Sequence, residues 1–289
     1  MDIAQPVKIG KFKASKMIAR ESWNLLKQDK EMMFFPVFSA AVMLIIALIG
    51  GAIFFFNVLG GDIAALETYA AKDSGNLEII FLFIIYFLSA FIVVFFQAGI
   101  VTIVNGRLKG QDLTFKDGFQ NALKHIGEIL LWSLVSASAG VILRAVAERS
   151  KILGRIVVFF LGTAWSILTF FIVPVLIIDD ISMGESLKKS AAIIKKTWGE
   201  SIIINIGVSV YFAFLGLLGV IVFAATLFSG NLIIIISGGV LLLIYLILLA
   251  IISETLSTIF KVVLYEYAST GVLPQGFSPE TIRAAFRAK

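Results

Sequence analysis

The chain has 289 residues, 59% of them hydrophobic and only 15% charged, with a mean hydropathy of +1.00. Soluble domains carry roughly 25% charged residues, so a soluble fold of this size has nowhere to hide so much apolar surface and a membrane has to act as the solvent. Zero cysteines exclude disulfides, thiolate catalysis and zinc–thiolate sites, and a single histidine, His125, leaves little scope for other metal centres.

Six apolar runs predict six spanning helices: Met32–Phe56, Ile79–Val104, Ile129–Leu143, Ile156–Ile178, Ile202–Phe228 and Leu232–Ser253. About 20 residues at 1.5 Å each cross a hydrocarbon core of about 30 Å, and these runs are too long and too uniformly apolar for barrel strands of about 10 residues. The expected fold is therefore all-α, a polytopic membrane bundle in one domain.

The chain opens with a basic segment holding Lys8, Lys11, Lys13, Lys16, Arg20, Lys27 and Lys30. Phe12, Ser15, Ile18, Ala19 and Trp23 recur along it at helical spacing, which predicts an amphipathic helix lying in the membrane interface. The first apolar run lies behind this segment, runs too long and lacks a small-residue cleavage site, so it reads as a span and not a secretory signal, with the mature chain beginning near Met1. An acidic loop with Asp62, Glu67, Asp73 and Glu78 separates it from the second run, which contains Gln97.

After the second run, Thr114-Phe115-Lys116-Asp117 fits a capping box opening a second amphipathic helix with Phe115, Phe119, Ala122, Leu123 and Ile126 on one stripe. The third run is short, about 15 residues between Glu128 and Arg144. It spans if Arg144 extends its guanidinium to the headgroups, and otherwise Arg144 is re-entrant or functionally buried. The same run is small on one side, with Ser133, Ser136, Ala137, Ser138, Ala139 and Gly140, as helix packing in lipid requires; a solute path is the other use of such a stripe.

Pro174 sits near the inner end of the fourth run, where it is expected to set the exit angle of the chain. Asp179 and Asp180 follow; as neighbours on a turn they point apart, which argues against paired acid–base work. A second capping box, Ser182-Met183-Gly184-Glu185, opens a third amphipathic helix with Met183, Leu187, Ala191, Ile194 and Trp198. The fifth run contains Asn205, Gly216 and Gly219; the sixth contains Gly238 and Gly239 and ends in Glu254, Thr258 and Lys261, which share a face at spacings of four and three. Counted from Leu232, Glu254 falls at the inner boundary, and the helical pattern runs on to Tyr267, so its last third has to project into the cytoplasm or break. Ser278-Pro279 then opens an amphipathic tail with Ile282, Ala285 and Phe286.

The order of interfacial helix, span, span occurs three times, giving units 8–104, 112–178 and 181–268 plus the tail 274–289 within one domain, 1–289. Most of the 24 Lys and Arg lie before the odd-numbered runs or after the last, which places both termini in the cytoplasm of a protein of the cell membrane. The exception is Arg144, Arg149, Lys151 and Arg155, on the outer side by this count; either the other loops outvote it or the third and fourth spans form a shallower hairpin. Basic residues spread along membrane boundaries point to anionic lipid headgroups, with a membrane-protein partner as a further expectation and no nucleic acid.

No phosphate loop, nucleophile elbow or metal-ligand cluster occurs, so no enzyme, catalytic residue, cofactor or metal is expected. The candidate polar residues at or near membrane depth are Glu254, Thr258, Lys261, Gln97, Asn205 and Arg144. Two functions fit: a membrane scaffold or accessory component acting through its cytoplasmic interfacial helices, and a small-solute or ion permease using the groups near Glu254 and Lys261.

Leu264-Tyr265-Glu266-Tyr267-Ala268-Ser269-Thr270-Gly271 with Pro274, Gly276-Phe277 and Ala284-Ala285-Phe286, and Ser22-Trp23-Asn24-Leu25-Leu26-Lys27-Gln28-Asp29 before Phe35-Pro36, resemble the terminal signatures of an uncharacterised prokaryotic membrane-protein family. Gly162-Thr163-Ala164-Trp165-Ser166, Phe171 to Pro174, and Ser190 through Glu200 fit its middle. The chain is also distantly similar to the membrane domain of glycerophosphodiester phosphodiesterases, whose soluble catalytic domain has no counterpart here. The resemblance implies a six-span fold and brings no site residues with it.

Overall fold

A computed structural model describes residues 11–57, 59–65, 76–149, 153–197 and 200–286, and every regular element among them is helical. In chain order these are α1 (Lys11–Gln28), a 3₁₀ turn (Lys30–Met33), α2 (Phe34–Asn57), α3 (Asn76–Leu108), α4 (Phe115–Lys124), α5 (Ile126–Arg149), α6 (Leu153–Leu168), α7 (Ile172–Asp179), α8 (Met183–Thr197), α9 (Glu200–Leu227), α10 (Leu232–Thr270) and α11 (Pro279–Phe286). Trp198, expected on the third amphipathic stripe, lies outside the described residues.

Five tracts are long and apolar enough to cross a membrane: Lys30–Asn57, Ile80–Leu108, Ile126–Ala147, Ile156–Asp179 and Leu232–Thr270. The third expected span is longer than its apolar run, because α5 continues in both directions through Glu128 and Arg144. Charges end a hydropathy run without ending a helix. α9 has 28 residues, Glu200–Leu227, and Tyr211–Leu227 is its apolar part among the described side chains.

The fourth run is not one helix. It breaks at residues 169–171 into α6 and α7, before Pro174 and not at it. Proline has no N–H and its ring clashes with the carbonyl four residues back, here that of Phe170, so the helix has to open at that point. Ser190 of α8, fully buried, patches the break. Its hydroxyl donates to the Leu168 carbonyl at 2.7 Å and accepts the Phe171 N–H at 3.2 Å.

The core is gathered at one end of the bundle, called basal here, where α1, α4, α7, α8 and α11 pack around the ends of the spans. Leu26, Met32, Phe35, Ile100, Ile103, Ala122, Ile129, Ile172, Leu176, Ile259, Val263 and Ile282 form one cluster there. The last third of α10 does not break. Thr255 through Tyr265 is almost wholly buried and makes the central pillar of the base, whereas most of Leu232–Leu248 is exposed on the surface that lipid would cover. Gly271, at φ 71°, ends the helix by donating its N–H to the Tyr267 carbonyl at 2.9 Å.

Phe35 fixes how closely α3 and α4 approach. Its ring lies in a slot made by Gly99 and Gly118, against Phe115 at 4.5 Å between centroids. A Cβ on Gly118 would sit 2.8 Å from the Gly99 carbonyl oxygen. The small residues expected at helix contacts are used for packing: Ala137 is buried, Gly140 faces the Tyr86 ring, and Gly219 takes the ring of Tyr245, whose hydroxyl donates to the Leu215 carbonyl at 2.9 Å.

Candidate functional site

Three of the sequence candidates converge. Gln97 of α3 donates from Nε2 to Glu254 Oε1 at 3.2 Å and to Thr258 Oγ1 at 3.3 Å, and the Thr258 hydroxyl donates to the same Glu254 oxygen at 3.4 Å. The four-residue spacing of Glu254 and Thr258 puts both on the face of α10 that meets α3. Thr258 is fully buried, whereas Gln97 and Glu254 are half-buried.

Gln97 lies ten residues before Arg107 on α3, about 15 Å along the axis. Glu254, bonded to Gln97, shares its level. A crevice of about 250 Å³ reaches both, walled by Pro36, Ala40, Val93, Phe96, Ile100, Ile247 and Ile251.

The other candidates lie elsewhere. Lys261 places its ammonium 5.8 Å above the Phe170 ring at the α6–α7 break, so it does not join Glu254. Arg144 is half-buried near the far end of α5. The backbone of Asn205 belongs to α9; its side chain is outside the described residues.

Polar ties, some local and some distant in sequence, hold the basal helices. Both capping boxes form: Thr114 and Asp117 exchange bonds of 2.9, 2.7 and 3.4 Å, and Ser182 and Glu185 exchange bonds of 3.3, 2.9 and 3.4 Å. Donation from the Thr114 backbone, then from its hydroxyl, holds the exposed Asp117 carboxyl below its ordinary value of 3.8. Each helix start also receives a distant carboxylate from the beginning of an earlier span. Glu31 accepts the Phe115 N–H at 2.5 Å and Glu128 accepts the Met183 N–H at 2.6 Å, so in each first turn one free amide is satisfied by the box and another by the distant carboxylate. Glu21 of α1 ties the tail in the same manner, accepting from the Ser278 N–H at 3.4 Å and the Thr281 hydroxyl at 2.9 Å.

Arg107 bridges buried Asp29 at 3.1 Å and exposed Asp112 at 2.6 Å. Asp179 takes the Tyr265 hydroxyl at 2.5 Å and the Lys189 ammonium at 2.6 Å, while its neighbour Asp180 turns away, at φ 52°, to His125 at 3.0 Å. The two aspartates do point apart, and both serve to join helices.

Residues 76–275 match a family described as of unknown function, DUF6159. The chain belongs to that family. The DUF6159 segment includes all six candidate residues and excludes α1, α2 and the tail helix. Neither the curated proteins nor the solved structures contain a match. None of these matches shows the distant similarity to the membrane domain of glycerophosphodiester phosphodiesterases.

Proposed function

We propose that this DUF6159 member is a six-span protein of the cell membrane, with both termini cytoplasmic, that acts without catalysis as a scaffold or accessory component. Its basal helices would lie at the interface as amphipathic platforms for anionic headgroups or a partner membrane protein, with no role for nucleic acid. The carrying observation is how those helices are mounted. Glu31, Glu128 and Glu21 fasten α4, α8 and α11 to the bundle from within, while Lys27, Lys30, Lys116, Lys124, Lys188 and Lys195 stay exposed. Each such lysine adds about 1 kcal/mol near an anionic surface.

The same ties support a threefold repeat. Glu31 and Glu128 follow α1 and α4 by three and four residues, and each caps the basal helix of the next unit. The α9 tract completes a sixth span if its first turns lie within the bilayer.

Lipid co-purifying with the protein from native membranes should be enriched in anionic species, and Glu substitution at Lys116, Lys124, Lys188 and Lys195 should remove that enrichment. Unchanged lipid composition together with no stoichiometric protein partner would sink the scaffold. Single cysteines at Ser74, Ser150 and Ser269 of this cysteine-free chain test the topology; they should label from outside, outside and inside. Labelling of Ser150→Cys from the cytoplasm alone would rule out six spans.

The convergence of Gln97, Glu254 and Thr258 favours a second function, a small-solute or ion permease. Liposomes containing the protein should then show uptake that Glu254→Gln reduces, and a leak equal to that of empty liposomes across a broad solute panel would remove this alternative.

A further inference from the structure

We propose that the crevice between α2, α3 and α10 binds a single-chain amphiphile with a protonated amine head, its hydrocarbon chain on the apolar walls and its ammonium on Glu254 Oε2. The hydrogen bonds define what is missing. Both N–H groups of Gln97 and the hydroxyl of Thr258 are committed, and all that reaches Glu254 arrives at Oε1. Oε2 has no partner among the described residues, and the nearest lysine along the same face, Lys261, is turned to Phe170.

A half-buried carboxyl group facing an apolar crevice is costly without a donor, so the site calls for one. The crevice opens sideways, since Ala40, Val93 and Ile247 on its rim are exposed. A donor arriving by that route has to travel on an apolar chain. Its volume of about 250 Å³ lies below the roughly 300–1,000 Å³ of sites for drug-sized molecules, which suits one chain and a compact head.

The test compares dodecylamine, dodecanol and dodecanoic acid, each bearing a photoreactive diazirine in the chain, on the full-length protein in phosphatidylcholine nanodiscs, with the labelled peptides mapped by mass spectrometry. The amine should label residues 93–100 and 247–254 about tenfold more than the acid, with the alcohol between them, because a carboxylate ligand meets a like charge. Glu254→Gln should bring the amine down to the level of the alcohol. Ala40→Phe, a change on the exposed rim, should block all three. Equal labelling by the three heads, or amine labelling unaffected by Ala40→Phe, overturns the proposal; the second variant decides the matter if Glu254→Gln does not fold. Binding is read here without transport, so this site and the permease can each fail alone.

Discussion

Ser190→Ala isolates the cost of the broken fourth span. The hydroxyl closes two backbone groups at once, the Leu168 carbonyl at 2.7 Å and the Phe171 N–H at 3.2 Å, at a position with no exposed surface. Each buried backbone group left unpaired costs about 1–3 kcal/mol, so the two together cost about 2–6 kcal/mol. At roughly 2–4 °C per kcal/mol for large domains, the apparent midpoint should fall by at least about 4 °C. Intrinsic fluorescence in detergent reads this directly, because Trp132 and Trp165 stack at 5.8 Å between α5 and α6, beside the break. Ser186→Ala is the matched control. Ser186 is equally buried on the same helix, but its hydroxyl makes only a 3.5 Å bond to the Ile181 carbonyl, and its loss should cost less than about 1 kcal/mol. Equal midpoints for the two variants, or a Ser190→Ala midpoint within about 1 °C of the wild type, would refute the claim that the hydroxyl stands in for the missing helix bonds.

Other outcomes follow from the basal packing. Gly118→Ala forces a methyl to within 2.8 Å of the Gly99 carbonyl, so α3 and α4 should separate; a loss of about 1–3 kcal/mol is expected by thermal denaturation, with Phe35→Leu restoring part of it. Asp29→Asn should cost about 2–4 kcal/mol and Asp112→Asn less than about 1 kcal/mol in the same assay, since Arg107 bonds both but only Asp29 is buried. For Asp117 the folded carboxyl titrates below 3.8, so its contribution is complete above that value and disappears as the pH falls through the lowered one. Wild type should therefore melt above Asp117→Asn at neutral pH, and the gap should narrow below about pH 4 and close once the pH is under the lowered value; a gap independent of pH would refute this assignment.

The sequence was most informative where interactions are local. Thr114 with Asp117, Ser182 with Glu185, and Glu254 with Thr258 are three or four residues apart, and helical geometry alone joins them. Pro174 announced a disturbance, but the opening falls at residues 169–171 because the clash is transmitted to the carbonyl four residues earlier. Ties such as Glu31 to Phe115, or Gln97 to Glu254, cross 84 and 157 residues and depend on which spans are neighbours, which hydropathy does not encode. Lys261 shows the converse. Its spacing shares the face of Glu254, yet two turns further along α10 the neighbouring element has changed from α3 to the α6–α7 break, and the lysine follows that neighbour.

The placement of the pillar has a consequence for biogenesis. Thr255–Tyr265 fills the centre of the base, yet the chain supplies it after every other span has left the ribosome. Domains made at about 5–20 residues per second begin folding from their amino-terminal parts, but here the earlier helices have to wait in the bilayer around an empty centre. Release of the last segment would then act as an assembly checkpoint: a chain stopped near residue 250 inserts its earlier spans but stays loose at the base, open to membrane proteases until the final turns of α10 arrive.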